Sequence, residues 1–264
     1  MKNIIMILKI ELYKLICQRY FLILLSGFIL FLVGFGWIRL KVAGYSDTSL
    51  SGFQLAAFIA STGSNLLTLI MIILSGSAMA SERSYGTLNI ICVRPIPRGR
   101  LISGKLLYIF SVALMLIILL FIVSLSTGAG LIGLESLTED EYVIYSFSQL
   151  IKHYIAGFCF SILPVLAWCS IAFFLSTLIT SPVWANASSL ILFFAFYLLL
   201  PFDELAYFTP NQFLNAGMTM MSKITYGLPA IWEPLYKLSF YSFIYVLVFS
   251  CLSVLLFKKK DIIC

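Results

Sequence analysis

Charge is scarce in this sequence. Asp, Glu, Lys and Arg make up 11% of its 264 residues, against about 25% in an average soluble domain. A single histidine, His153, leaves no means of assembling a His-based metal cluster or a Ser-His-Asp triad. Six long stretches lack Asp, Glu, Lys, Arg and His altogether: Phe21–Ile38, Phe53–Ala80, Leu106–Thr127, Tyr154–Thr180, Val183–Phe202 and Leu238–Phe257. With no aspartate in any of them, intramembrane proteolysis by paired aspartates is excluded. Autonomous ion coupling loses its chemistry too, because a coupling ion or proton needs titratable groups at membrane depth.

Apolar residues fill the space that charge leaves. They form 61% of the chain, with 23 Phe, and the mean hydropathy is +1.05. A soluble fold would expose large apolar patches, whereas about 20 apolar residues of helix cross a bilayer. The six stretches predict an all-α integral membrane protein of six spans forming a single domain over 1–264. Pro164 predicts a kink in the fourth span.

Position gives the few charges a direction. The segment before the first span, the loop 81–105 and the tail 258–264 together hold twelve Lys and Arg against Glu11, Glu82 and Asp261, a net of +9. The opposite side holds five bases against eight acids, a net of −3. Lys and Arg are retained in the cytoplasm, so both termini are expected there. Cys17, Cys92, Cys159, Cys169, Cys251 and Cys264 all fall in spans or on that side, so no external disulfide framework is implied. Arg39 and Lys41 follow the first span directly and no small-x-small site ends it, which argues for a retained helix rather than a cleaved signal. Residues 1–20, with Glu11, Lys14 and Gln18 at helical spacing, read as a helix lying on the inner leaflet or as a plain extension of the first span.

Two motifs imitate nucleotide sites. Gly99-x-x-x-x-Gly104-Lys105 spells a phosphate loop, but Leu106 stands where a Ser or Thr should hold magnesium and no strand leads into it. Gly128-x-Gly130-x-x-Gly133 lacks the surrounding βαβ unit and reads as a flexible span exit. Asn186-Ala-Ser188 matches a glycosylation acceptor inside the fifth span, out of reach of a transferase. No enzymatic activity is expected of the chain, nor nucleic-acid binding from its basic excess.

The loop 81–105 carries the most information. Gly86 and Pro95 bound a short helix with Leu88, Ile91 and Cys92 on one face. Such a helix inserts into a groove of a partner or lies on anionic lipid through Arg94, Arg98 and Arg100; spacing alone leaves both open. Glu82-x-x-x-Gly86-Thr87-Leu88, then Pro95-Ile96-x-Arg98 and Lys105 at the opening of the third span, resembles the loop of ATP-binding-cassette type 2 permeases, the membrane subunits of bacterial exporters. The likeness extends along the chain, from N-terminal helix to Lys-Lys-Lys-Asp tail. It implies a permease that pairs with a second copy or a paralogue and docks a separate ATPase, which binds ATP and magnesium, while this chain binds no cofactor. It also implies that Glu82, Gly86, Thr87, Leu88, Ile91, Pro95, Arg98 and Lys105 couple the spans to that ATPase. Arg39 and Lys41 depart from the pattern and leave the end of the first span open.

In the resembling family the path runs between two permeases. Thr62, Ser64 and Asn65 in the second span, and Asn186 and Ser189 in the fifth, are candidates for that path or the dimer contact, or for ordinary helix packing. Residues 203–237, broken by Pro210, Pro229 and Pro234, are expected to form short external or re-entrant helices. The acidic loop Glu135–Glu141 reads as a solvated turn or an attractant for cationic peptides. An antimicrobial peptide, a drug or a lipid is the expected substrate class; a non-transporting scaffold and an ATP-independent channel are the alternatives.

Overall fold

A computed structural model describes residues 2–17, 19–44, 51–86, 97–139, 142–201, 208–215, 224 and 233–259. The helices are α1 (Lys2–Cys17), α2 (Arg19–Gly44), α3 (Gly52–Ser84), α4 (Arg98–Leu131), α5 (Phe147–Leu178), α6 (Pro182–Leu198), α7 (Asn211–Leu214) and α8 (Glu233–Lys259). Among the described residues, five segments are long and apolar enough to cross a membrane: Phe21–Val42, Gly52–Ser84, Gly99–Leu131, Phe147–Leu178 and Ser239–Phe257. The fifth apolar stretch of the sequence falls in α6, a helix of 17 residues, about 26 Å long. The chain is thus a multi-pass helical membrane protein.

One element departs from the all-α expectation. Inside the acidic loop, β1 (Leu137–Glu139) pairs antiparallel with β2 (Tyr142–Tyr145), with Thr138 opposite Val143. Tyr142-Val-Ile-Tyr145 is rich in β-formers, which outweighs the adjacent acidic residues.

Helix limits outrun the apolar runs because flanking polar residues continue the same hydrogen-bond ladder. Serine caps explain the starts. Ser51 Oγ accepts from Gln54 N at 3.2 Å while Gln54 Oε1 accepts from Ser51 N at 3.1 Å, and Ser146 N donates to Gln149 Oε1 at 3.0 Å, both in Ser-x-x-Gln sequences. Spans α3, α4 and α5 have 33, 34 and 32 residues, about 50 Å each, so they project beyond a hydrocarbon layer about 30 Å thick. Helix α5 runs unbroken through Pro164. Helix α2 likewise carries Arg39 and Lys41 within it, Arg39 lying 4.7 Å over the Phe58 ring and Lys41 5.6 Å over Trp37.

Helix α3 is the hub, packed against α4, α5 and α6. Leu55, Ile59, Leu67, Met71, Ile72 and Met79 along it are fully buried, as are Trp168 and Phe173 of α5. At the end away from the loop 81–105, Gly52 and Gly128 bring α3 and α4 into backbone contact: a Cβ on Gly52 would lie 2.0 Å from Gly133 O, and one on Gly128 2.5 Å from Gly52 O. The glycine run is therefore a close-packing site rather than a flexible exit. Gly128 and Gly130 are helical, and the left-handed Gly133, φ +95°, follows the end of α4. The faces of α2 and α8 stay bare, with Leu30, Trp37, Phe240 and Leu255 exposed; a bilayer covers such surface.

Candidate functional site

Helix α3 stops where Gly86 takes φ +68°, a left-handed C-terminal conformation that favours glycine, with Tyr85 N donating to Ser81 O at 2.9 Å. Helix α4 resumes after Pro97, whose carbonyl accepts from Arg100 N at 2.8 Å. Gly99, Gly104 and Lys105 are all helical, so the phosphate-loop lookalike forms no loop. Thr87, Leu88, Ile91 and Pro95 lie outside the described residues, as does the side chain of Arg98.

At the base of this loop the two ends of chain are joined by ions. Lys105 Nζ, on the first turns of α4, lies 2.6 Å from Glu82 Oε1 on α3 and 3.1 Å from Glu11 Oε1 on α1. Lys105 and Glu82 are buried. Three helices meet at this one ammonium. Gly104 allows the approach of α1, since a Cβ there would touch Ile7 at 3.0 Å. A cavity of about 140 Å³ adjoins the triad, lined also by Lys14, Ser77, Ser81 and Tyr108. It is lined by charged and hydroxyl groups and has room for several waters beside the two carboxylates and the ammonium. Removing one member of a buried charge pair leaves the other uncompensated, at a cost of about 3–5 kcal/mol.

A second tie joins the same end of α3 to α5. Ser176 Oγ accepts from Met79 N and Ala80 N, each at 3.0 Å, and Arg83 Nη2 donates to Thr177 O at 2.9 Å. Glu82 faces the triad and Arg83 faces α5. The loop base is thus fastened to α1, α4 and α5 at once. Glu82 and Lys105, both singled out from the loop motif for coupling, stand together as an ion pair that the sequence did not announce. Glu11, Gly104, Ser176 and Thr177 were not among the sequence candidates, and a serine in an apolar helix carries no signal that its hydroxyl will serve another helix.

Further along the bundle, polar residues hold the segment 208–215. Asn65 lies about 20 Å along α3 from Gly52. Its Oδ1 accepts from Tyr197 Oη at 2.7 Å, and its Nδ2 donates to Asn215 Oδ1 at 3.3 Å. Ser61 Oγ donates to Asn215 Oδ1 at 3.1 Å, and Ser64 Oγ lies 3.2 Å from Leu214 O. Trp168 Nε1 donates to Asn211 Oδ1 at 2.7 Å, and Asn211 Nδ2 to Phe193 O at 2.9 Å. The segment is thus held against α3, α5 and the last turns of α6. The other candidates act locally. Thr62 bonds Phe58 O and Ser189 bonds Ala185 O on their own helices, while Asn186 abuts Gly76, where a Cβ would lie 2.3 Å from its Oδ1.

Two comparisons bear on this arrangement. Residues 7–194 match the model of a family described as "ABC-2 family transporter protein". The chain is also 25% identical over 231 residues to the uncharacterized protein YhcI of Bacillus subtilis (strain 168), an alignment covering 82% of this chain and 71% of that protein. The matched region holds all three members of the ion triad and both residues of the α5 tie.

Proposed function

The chain belongs to the ABC-2 transporter family, and from that premise we propose that it is the permease subunit of an ABC exporter, driven by ATP hydrolysed in a separate subunit. The observation that carries the coupling role is the Glu11–Lys105–Glu82 cluster at the base of the loop. A docking loop moves its spans only if its base is stiff. One buried and one half-buried ion contact and the α5 tie supply that stiffness, so a displacement of residues 87–96 is delivered to α1, α3, α4 and α5 together. Paired permeases then alternate between two packings.

In this reading α6 is the fifth of six spans, both termini are cytoplasmic, and the net +9 side faces the ATPase. Glu82 and Lys105 are positioning residues for the coupling helix, whose apolar face of Leu88 and Ile91 enters the ATPase. Thr62, Ser64, Asn65, Asn186 and Ser189 lie on or near the path or the dimer contact, Ser64 and Asn65 acting by holding the re-entrant segment. ATP and magnesium belong to the partner. An antimicrobial peptide, a drug or a lipid is the cargo, in a bacterial plasma membrane.

Affinity purification of the tagged chain from native membranes tests the assignment. An ABC ATPase should copurify, together with a second permease copy or a paralogue. Flux from vesicles holding the purified chain alone, unaffected by ATP, would instead make it a channel.

A further inference from the structure

A second feature near the loop end belongs to none of this machinery. Between α4 and α8 runs an apolar groove of about 500 Å³. Leu106, Phe110 and Val254, packed on the core, also line it, as do the exposed Leu107, Cys251 and Leu255. We propose that this groove is a binding site for an acyl chain of an anionic phospholipid, whose phosphate rests at the basic ends of the two helices.

Dimensions argue for an acyl chain. The groove follows α4 for about two turns, some 10 Å. Apart from Ser103 and Ser250 its lining is hydrocarbon or thiol, which suits a chain of methylenes. The charge argues for an anionic headgroup. Arg100, exposed, lies seven residues before Leu107 on the same stripe of α4. Position 258, a lysine, follows Cys251 by seven and Leu255 by three on α8. Both stripes thus reach a basic position at the mouth, where anionic headgroups are attracted. Among the described residues, Glu11 and Glu82, the acidic residues of this end of the bundle, are turned instead toward Lys105 between α1, α3 and α4.

The site requires a bilayer but no ATPase and no transport, so its failure and that of the permease assignment are read separately. The test uses the purified full chain in phosphatidylcholine vesicles, with or without phosphatidylglycerol of the same acyl chains. It reads retained lipid by native mass spectrometry and the rate of maleimide labelling of Cys251. Phosphatidylglycerol should be retained preferentially and should slow labelling. Arg100→Gln should reduce the preference about fivefold, the worth of one basic residue at an anionic surface. Val254→Trp, and independently Leu107→Trp, should fill the groove and abolish retention, while Val248→Trp, on an exposed stretch of α8 outside it, should not. Equal retention of both lipids, or unchanged retention in both filled variants, overturns the proposal. So does an oxidative Cys251–Cys251 cross-link between chains, which would place a second copy in the groove.

Discussion

Lys105 is the residue on which the loop base depends, because a single ammonium separates two carboxylates from different helices. Lys105→Met should destabilise the protein by about 3–5 kcal/mol, since Glu82 and Glu11 lose the ammonium that lies between them; the thermal midpoint in detergent reads this. Glu82→Gln keeps Lys105 paired with Glu11 and should cost less. The exchange Glu82→Lys with Lys105→Glu again sets one ammonium among two carboxylates and should recover part of the midpoint, whereas a site needing only bulk would show no recovery. Two of the cluster's three members were among the residues that the sequence singled out. Glu82 and Lys105 flank a recognisable loop, 23 residues apart. Glu11 sits 94 residues from Lys105, and no local pattern announces a pairing that only the packing of α1 beside Gly104 creates.

Among the helices, the tightest approach is that of α3 and α4 at Gly52 and Gly128, where backbone stands in for side chain. Gly52→Val should force the helices apart at a cost of at least about 1–3 kcal/mol, because the obstacle, Gly133 O, is backbone and cannot rotate away. Gly130→Ala, with open space around it, should leave the thermal midpoint unchanged. The segment 208–215 depends in the same way on Asn211, which bridges Trp168 and the Phe193 carbonyl. Asn211→Leu should raise hydrogen exchange in residues 208–215 while sparing α3; equal protection in both proteins would show that the bridge does not hold the segment. The long apolar helices were readable because lipid demands uninterrupted apolar runs. Their ends were not, since capping residues such as Ser51 and Gln54 extend the ladder past the last apolar position. The hairpin at Leu137–Tyr145 escaped for another reason: strands of three and four residues are too short to show a period of two.

Over the whole molecule, low charge and its uneven placement take on one meaning. Nearly all apolar length is devoted to crossing a bilayer, and the two interior ionic contacts are gathered at the end that bears the loop. The six apolar stretches hold no Asp, Glu, Lys, Arg or His with which to draw on an ion gradient, so in the proposed reading the loop base acts as a stiff lever and the work comes from a partner ATPase. That division also explains the limits of a sequence reading, because the lever is an assembly of α1, α3, α4 and α5 rather than a motif of any one. The most direct test is the ATP hydrolysis rate of the permease–ATPase complex reconstituted in vesicles, compared between the native chain, Glu82→Gln and Leu88→Asp. Leu88→Asp should lose the ATPase and with it all bound activity, while Glu82→Gln should retain the ATPase at normal stoichiometry yet uncouple hydrolysis from transport. Unchanged hydrolysis and transport in both variants would contradict a coupling role for the loop and its ionic base.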